Sequence, residues 1–123
     1  MARTVELPAT SAEARDRVLA LLRACHRQVD EVVVADALLI TSELVTNALR
    51  HAGGVTGFAA RIAGDRLEVI VEDASPVRPV VPSDIRDGRI GGYGWSLVRR
   101  LATSVAITPS ADGKGIHVAL RLT

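Results

Sequence analysis

One cysteine, one lysine and one tryptophan occur among 123 residues. The single Cys25 excludes an intrachain disulfide and fits a reducing, cytoplasmic compartment. Cys25 falls in line with Val18, Leu21 and Leu22 on a helical face, which reads as core rather than as a reactive thiol. Three histidines and that cysteine show no ligand spacing for zinc. Lys114 is the sole lysine although Lys and Arg together number 15, a bias that suits a GC-rich bacterial genome. An excess of one sign of charge is missing too. The net charge is +1, so there is no electrostatic footprint for nucleic acid or an anionic membrane. The longest apolar stretch, residues 32–40, is broken by Asp36 and is too short to span a bilayer. No basic segment followed by an apolar run opens the chain, so no signal peptide is expected.

What is present is an ordinary globular composition, 48% hydrophobic and 24% charged. The length predicts one domain over residues 1–123 with a two-layer core. Residues 4–7 alternate and predict a short strand ended by Pro8. Thr10 and Glu13 make a capping box that opens a helix over residues 11–28. A link near Asp30 leads to a second helix over residues 31–51, stopped by Gly53 and Gly54. Residues 55–63 and 66–72 read as a hairpin around Gly64-Asp65. Residues 74–92 hold Pro76, Pro79, Pro82, Gly88, Gly91 and Gly92 with little periodicity. Loops of that length in a small domain are functional or disordered. A short helix over 96–102 and strands over 105–108 and 116–122 complete the chain.

Three features carry chemistry. On the second helix Glu43, Asn47 and Arg50 or His51 recur at spacings of three and four, so they share a face. Leu38, Thr41, Val45, Ala48 and Ala52 form a separate stripe that can pack on a sheet. A carboxylate, an amide and a cation on one ridge can act together on a phosphate and its metal ion. Taken alone, that ridge also fits an ordinary solvated helix face. Asp73 stands at a strand end, just before the long loop. Gly91, Gly92 and Gly94 open a helix, where free backbone N–H groups without a Cβ in the way bind phosphate.

In this order the three segments resemble those of the Bergerat-fold ATPases, the superfamily of gyrase, heat-shock chaperone, histidine-kinase and mismatch-repair ATPases. Within it the chain resembles the small serine/threonine kinases that act as anti-sigma factors in actinobacteria. SELVTNALRHA is similar to the family's N-box, VEDASPVRP to its first glycine box and GGYGWSLVRRLA to its second. The resemblance covers nearly the whole chain. It implies an α/β (α+β) two-layer sandwich, with a mixed, mostly antiparallel sheet and three helices on one face. It implies ATP and Mg²⁺ as cofactors. Asn47 would coordinate Mg²⁺, Glu43 would act as general base, and Asp73 would accept the adenine amino group. Gly92 and Gly94 would let the backbone approach the phosphates, with a lid over about residues 74–91. Arg50 or His51 would add positive charge, and Ser75 and Leu97 are carried over as nucleotide-contacting positions. The implied partners are a sigma factor and an anti-sigma-factor antagonist of the STAS type, with a homodimer as the common assembly.

The chain departs from the pattern in places. Ala74-Ser75-Pro76 stands where many members have glycines. Lys114-Gly115-Ile116 stands where a Thr commonly supports adenine through a water. Trp95 inside the second box reads either as a hydrophobic plug or as a contact to nucleotide or partner. These departures keep a second reading open, a nucleotide-sensing interaction module without phosphotransfer. A detached histidine-kinase catalytic domain fits less well, since His26 lacks the neighbouring Glu or Asp of a phospho-accepting helix.

Overall fold

The structure is a computed structural model that describes residues 6–77 and 93–123. Thr10 opens α1 (Ser11–Ala24) by accepting the Glu13 N–H at 3.1 Å, one of the donors a helix start leaves without an intrahelical partner. Glu13 reaches back to the Ala9 N–H at 2.6 Å, so the capping box closes one residue further out than the usual pairing. The helix ends at Ala24, short of the expected residue 28. Cys25 is extended at φ −75° and ψ 151°, and its thiol donates to Leu22 O at 3.0 Å. Another helical turn would have given that carbonyl to the N–H of residue 26. Cys25 therefore sits half-buried past the helix end rather than in the core.

Asp30 caps α2 (Glu31–His51) by accepting the Val32 N–H at 2.8 Å. Both ends fall where the sequence places them. The helix is long and apolar enough to cross a membrane. Its Ala37, Ile40, Leu44, Val45 and Ala48 are nevertheless buried inside the domain, at the spacings of an amphipathic stripe. The buried Thr41 hydroxyl is satisfied by Ala37 O at 2.7 Å. Gly53 then takes φ +75°, a conformation cheap only for glycine. It lets the Gly54 N–H fold back onto Ala48 O at 2.8 Å.

β1 (Val55–Ala63) and β2 (Arg66–Asp73) form a hairpin. Of its two loop residues only Gly64 has positive φ, the II′ pattern that matches strand twist. α3 (Tyr93–Leu101), β3 (Ser104–Pro109) and β4 (Lys114–Arg121) follow. The sheet order is β1-β2-β4-β3, and every pairing among the described residues is antiparallel. Of the strand expected at 4–7, residues 4 and 5 lie outside the described residues, and Glu6 and Leu7 belong to no strand. The expected loop and lid are described only to residue 77.

Register turns the alternating strands into rows across one face of the sheet. Phe58, Val71, Ile116 and Ile107 form one row; Ala60, Val69, Val118 and Val105 the next; Ile62, Leu67 and Leu120 a third. The three helices cover this face and share one core with it. Each large side chain removed from water contributes about 1.5–3 kcal/mol. A one-residue slip of β2 would turn Leu67, Val69 and Val71 outward together, so the register is strongly specified.

Candidate functional site

The rotation of α2 is set from two sides. Its apolar stripe is held by the core. Beside that stripe, Thr46 Oγ1 shares a hydrogen bond with Ser11 Oγ at 2.8 Å, and Arg15 Nη1 donates to Ser42 Oγ at 2.8 Å, both from α1. Glu43 and Asn47 remain on the side facing α3, half-buried and one turn apart. Arg50 and His51 lie exposed in the last turn.

Gly94 meets Glu43 directly. A Cβ added to Gly94 would collide with the Glu43 carboxylate. The helix expected to begin at residue 96 begins at Tyr93, with Gly94 in its first turn. This glycine is a helix residue kept small by its neighbour's carboxylate, rather than a turn former. Trp95 and Val98 are buried in the core beside it, which bears out the plug reading of Trp95. Leu97 is half-buried, and Gly92 lies outside the described residues.

Asp73 closes the site from the sheet. It falls in phase with Leu67, Val69 and Val71, so it belongs to a fourth row of the core-facing side, Val55, Asp73, Lys114 and Pro109. An ion pair takes the place of an apolar contact there. Lys114 Nζ lies 3.0 Å from Asp73 Oδ2 and donates to Oδ1 at 3.1 Å and to Ser75 O at 2.9 Å. Ser75 is half-buried, and its N–H donates to Asp73 Oδ1 at 2.9 Å. Asp73 is 5% exposed and Lys114 4%, rare burial for these residue types unless paired. The next residue ties this corner to α2, since the Ala74 N–H donates to Ala52 O at 3.0 Å. The turn before β4 is pressed against the end of β2, where a Cβ on Gly113 would collide with the Asp73 carbonyl.

The sequence reading missed Lys114 as the partner of Asp73 and started the last strand two residues late. The signal was available: Lys114 is in phase with Ile116, Val118 and Leu120, which puts the only lysine on the core side of its strand.

The residues fit a phosphate ligand and its metal. α3 starts beside Glu43, and the N–H groups of its first turn, which lack intrahelical partners, suit a phosphate. Asn47 offers a carbonyl oxygen of the kind Mg²⁺ accepts. No group of three or more His, Cys, Asp or Glu side chains gathers among the described residues.

The fold has counterparts of known structure. A histidine kinase domain from the blue-light activated histidine kinase EL346 of Erythrobacter litoralis is similar with TM-score 0.56 and 21% identity, over 96% of this chain and 66% of that one. A longer form of the same kinase gives TM-score 0.57 and 22% identity, over 91% of this chain and 41% of that one. The Acinetobacter baumannii histidine kinase AdeS gives TM-score 0.51 and 11% identity, over 89% and 76%. The chain thus spans only part of each of these proteins. No curated protein matches it significantly. The family model of the histidine kinase-like ATPase domain matches residues 5–122, nearly end to end, and the chain belongs to that family.

Proposed function

We propose that the protein is an ATP-dependent serine/threonine kinase of the anti-sigma-factor type, which phosphorylates an anti-sigma-factor antagonist and regulates transcription through a sigma factor. The observation that carries this reading is the meeting of Glu43 with Gly94. It joins a carboxylate of α2 to the glycine in the first turn of α3, with Asn47 one turn away. A domain that only binds nucleotide has no use for a base at that point.

In this reading Asn47 holds Mg²⁺, which with ATP supplies the transferable phosphoryl group and neutralises its charge. Glu43 accepts the proton of the attacking Ser or Thr hydroxyl. Gly92 and Gly94 admit the phosphates, Arg50 or His51 add positive charge at their rim, and Asp73, Ser75 and Leu97 surround the base. The protein acts in the cytoplasm, as a homodimer, on an antagonist of the STAS type. The test is transfer of labelled phosphate from ATP to antagonist domains of the same genome. Glu43→Ala is expected to abolish transfer and to keep ATP affinity. Asp73→Ala is expected to remove Mg²⁺-dependent ATP binding, followed by calorimetry and by the fluorescence of Trp95. A wild-type chain that binds neither nucleotide nor antagonist sinks the reading.

The second reading, a nucleotide-sensing module without phosphotransfer, is motivated by the departures from the family pattern near Ser75 and Gly115. The two readings part on Glu43→Ala, which leaves a sensing module's function unchanged.

A further inference from the structure

A cleft of about 370 Å³ opens where α1 stops and the β1–β2 hairpin turns. Its floor is aliphatic. Leu21 and Ile62 lie half-buried against the core, and the exposed Ala24 borders them. Small-molecule sites measure about 300–1,000 Å³ and combine apolar walls with a few polar groups, so the cleft has the size and make-up of one. It takes no part in the reaction proposed above. The hairpin turn precedes β2 and Asp73 ends it, and the eight residues of that strand put roughly 25 Å between the two.

The charged rim has one sign. His26 and Arg27 stand exposed at its edge, and no carboxylate is among the described residues that line it. Arg27 Nη2 donates to Gly64 O at 3.0 Å, which fixes the guanidinium against the hairpin and leaves its other N–H donors open. The ion pairs among the described residues are Arg61–Glu68 and Lys114–Asp73, so Arg27 faces the cleft without a carboxylate of its own. The end of α1 opposes this, since a helix C-terminus carries roughly half a negative elementary charge. Its Leu22 carbonyl is already taken by the Cys25 thiol, and the full charge of Arg27 outweighs the rest. The complementary ligand is an anion with an apolar body, and a carboxylate matches the guanidinium fork. The floor offers no aromatic ring for another to stack on and suits a flexible alkyl tail. We propose that the cleft binds a medium-chain fatty acid, its tail on Leu21, Ala24 and Ile62 and its carboxylate on Arg27, with His26 beside it.

The test is amide NMR of the full chain titrated with octanoate, octanamide and octylamine. The rate at which iodoacetamide alkylates Cys25, the sole thiol and part of the lining, is read alongside. Octanamide keeps the tail and removes the charge, and octylamine reverses it. Octanoate is expected to bind with Kd of about 1 mM or tighter, as befits so small a ligand. It should shift the amides of residues 21–27 and 62–64 and slow the alkylation. Hydrogen bonds to charged groups are worth roughly 10- to 100-fold in affinity, so octanamide should bind at least about tenfold more weakly and octylamine more weakly still. Arg27→Gln is expected to erase the preference for octanoate over octanamide. Arg23→Gln, an exposed cation outside the lining, should leave it unchanged, which a general charge effect would not. Equal affinity for octanoate and octanamide, shifts confined to other residues, or no saturation by about 10 mM overturns the inference. So does binding to vesicles of anionic lipid without binding to free octanoate, which would mark a membrane-facing surface instead. If Arg27→Gln does not fold, the wild-type ratio of octanoate to octanamide decides. None of these outcomes bears on the nucleotide reading.

Discussion

The collision that keeps a side chain off Gly94 gives Glu43 its place, and a single methyl group tests it. In Gly94→Ala the carboxylate must swing aside. It is the far end of a flexible side chain, and alanine is the better helix former, so stability should change by less than about 1 kcal/mol. A displacement of about 1 Å at a reacting group can cost about 100-fold in rate. We expect ATP affinity to hold while phosphotransfer falls by about 10- to 100-fold, read by calorimetry and labelled-phosphate assays on the same preparation. Glu43, Asn47 and Gly94 could be picked out of the sequence as candidate site residues, because helical spacing and a glycine cluster are local signals. Their contact was not, because nothing local says that Gly94 lies inside a helix packed on Glu43.

The ends of α2 set where its side chains fall. Asp30 holds the first turn, and Gly53 releases the chain toward β1. Asp30→Ala removes an N-cap and should cost about 1 kcal/mol. Gly53→Ala forces an L-residue to φ +75°, with its Cβ 3.2 Å from the Ala74 Cβ. The conformation alone should cost about 1–2 kcal/mol, so it should be the more damaging of the two in urea melts. These caps were readable because both signals are single residues. The end of α1 was not readable. The apolar phase through Val18, Leu21 and Leu22 points on to Cys25, while the helix stops where the Cys25 thiol takes the Leu22 carbonyl. The late start assigned to β4 has the same origin. Lys114 looks like turn sequence until its partner Asp73, 41 residues away in the chain, is brought alongside.

Across the domain, the core face of the sheet carries three apolar rows and one charged row. Lys114→Met strands a buried carboxylate and should lower stability by about 3–5 kcal/mol. Adding Asp73→Leu should restore most of that loss, since an apolar pair often replaces a buried ion pair without penalty. Urea midpoints of the two single variants and the double variant form the cycle that checks this. A stable double variant that binds no ATP would separate the part of Asp73 in ligand recognition from its part in folding. The strands and the amphipathic second helix were visible from their periodicity, while the sandwich they build came from the family resemblance. The antiparallel sheet order, with β4 between β2 and β3, was not, since it depends on long-range pairing.

The hydrogen bond from Ala74 to Ala52 joins the end of β2 to the end of α2. It spans two arms of the chain that carry different parts of the site, Asp73 on one and Asn47 on the other. In a deuterium exchange experiment the amide of residue 74 therefore serves as a built-in clock for their separation. Its exchange rate reports how often the two arms part, with no label and no assay of turnover. Nucleotide that grips both arms should slow that clock.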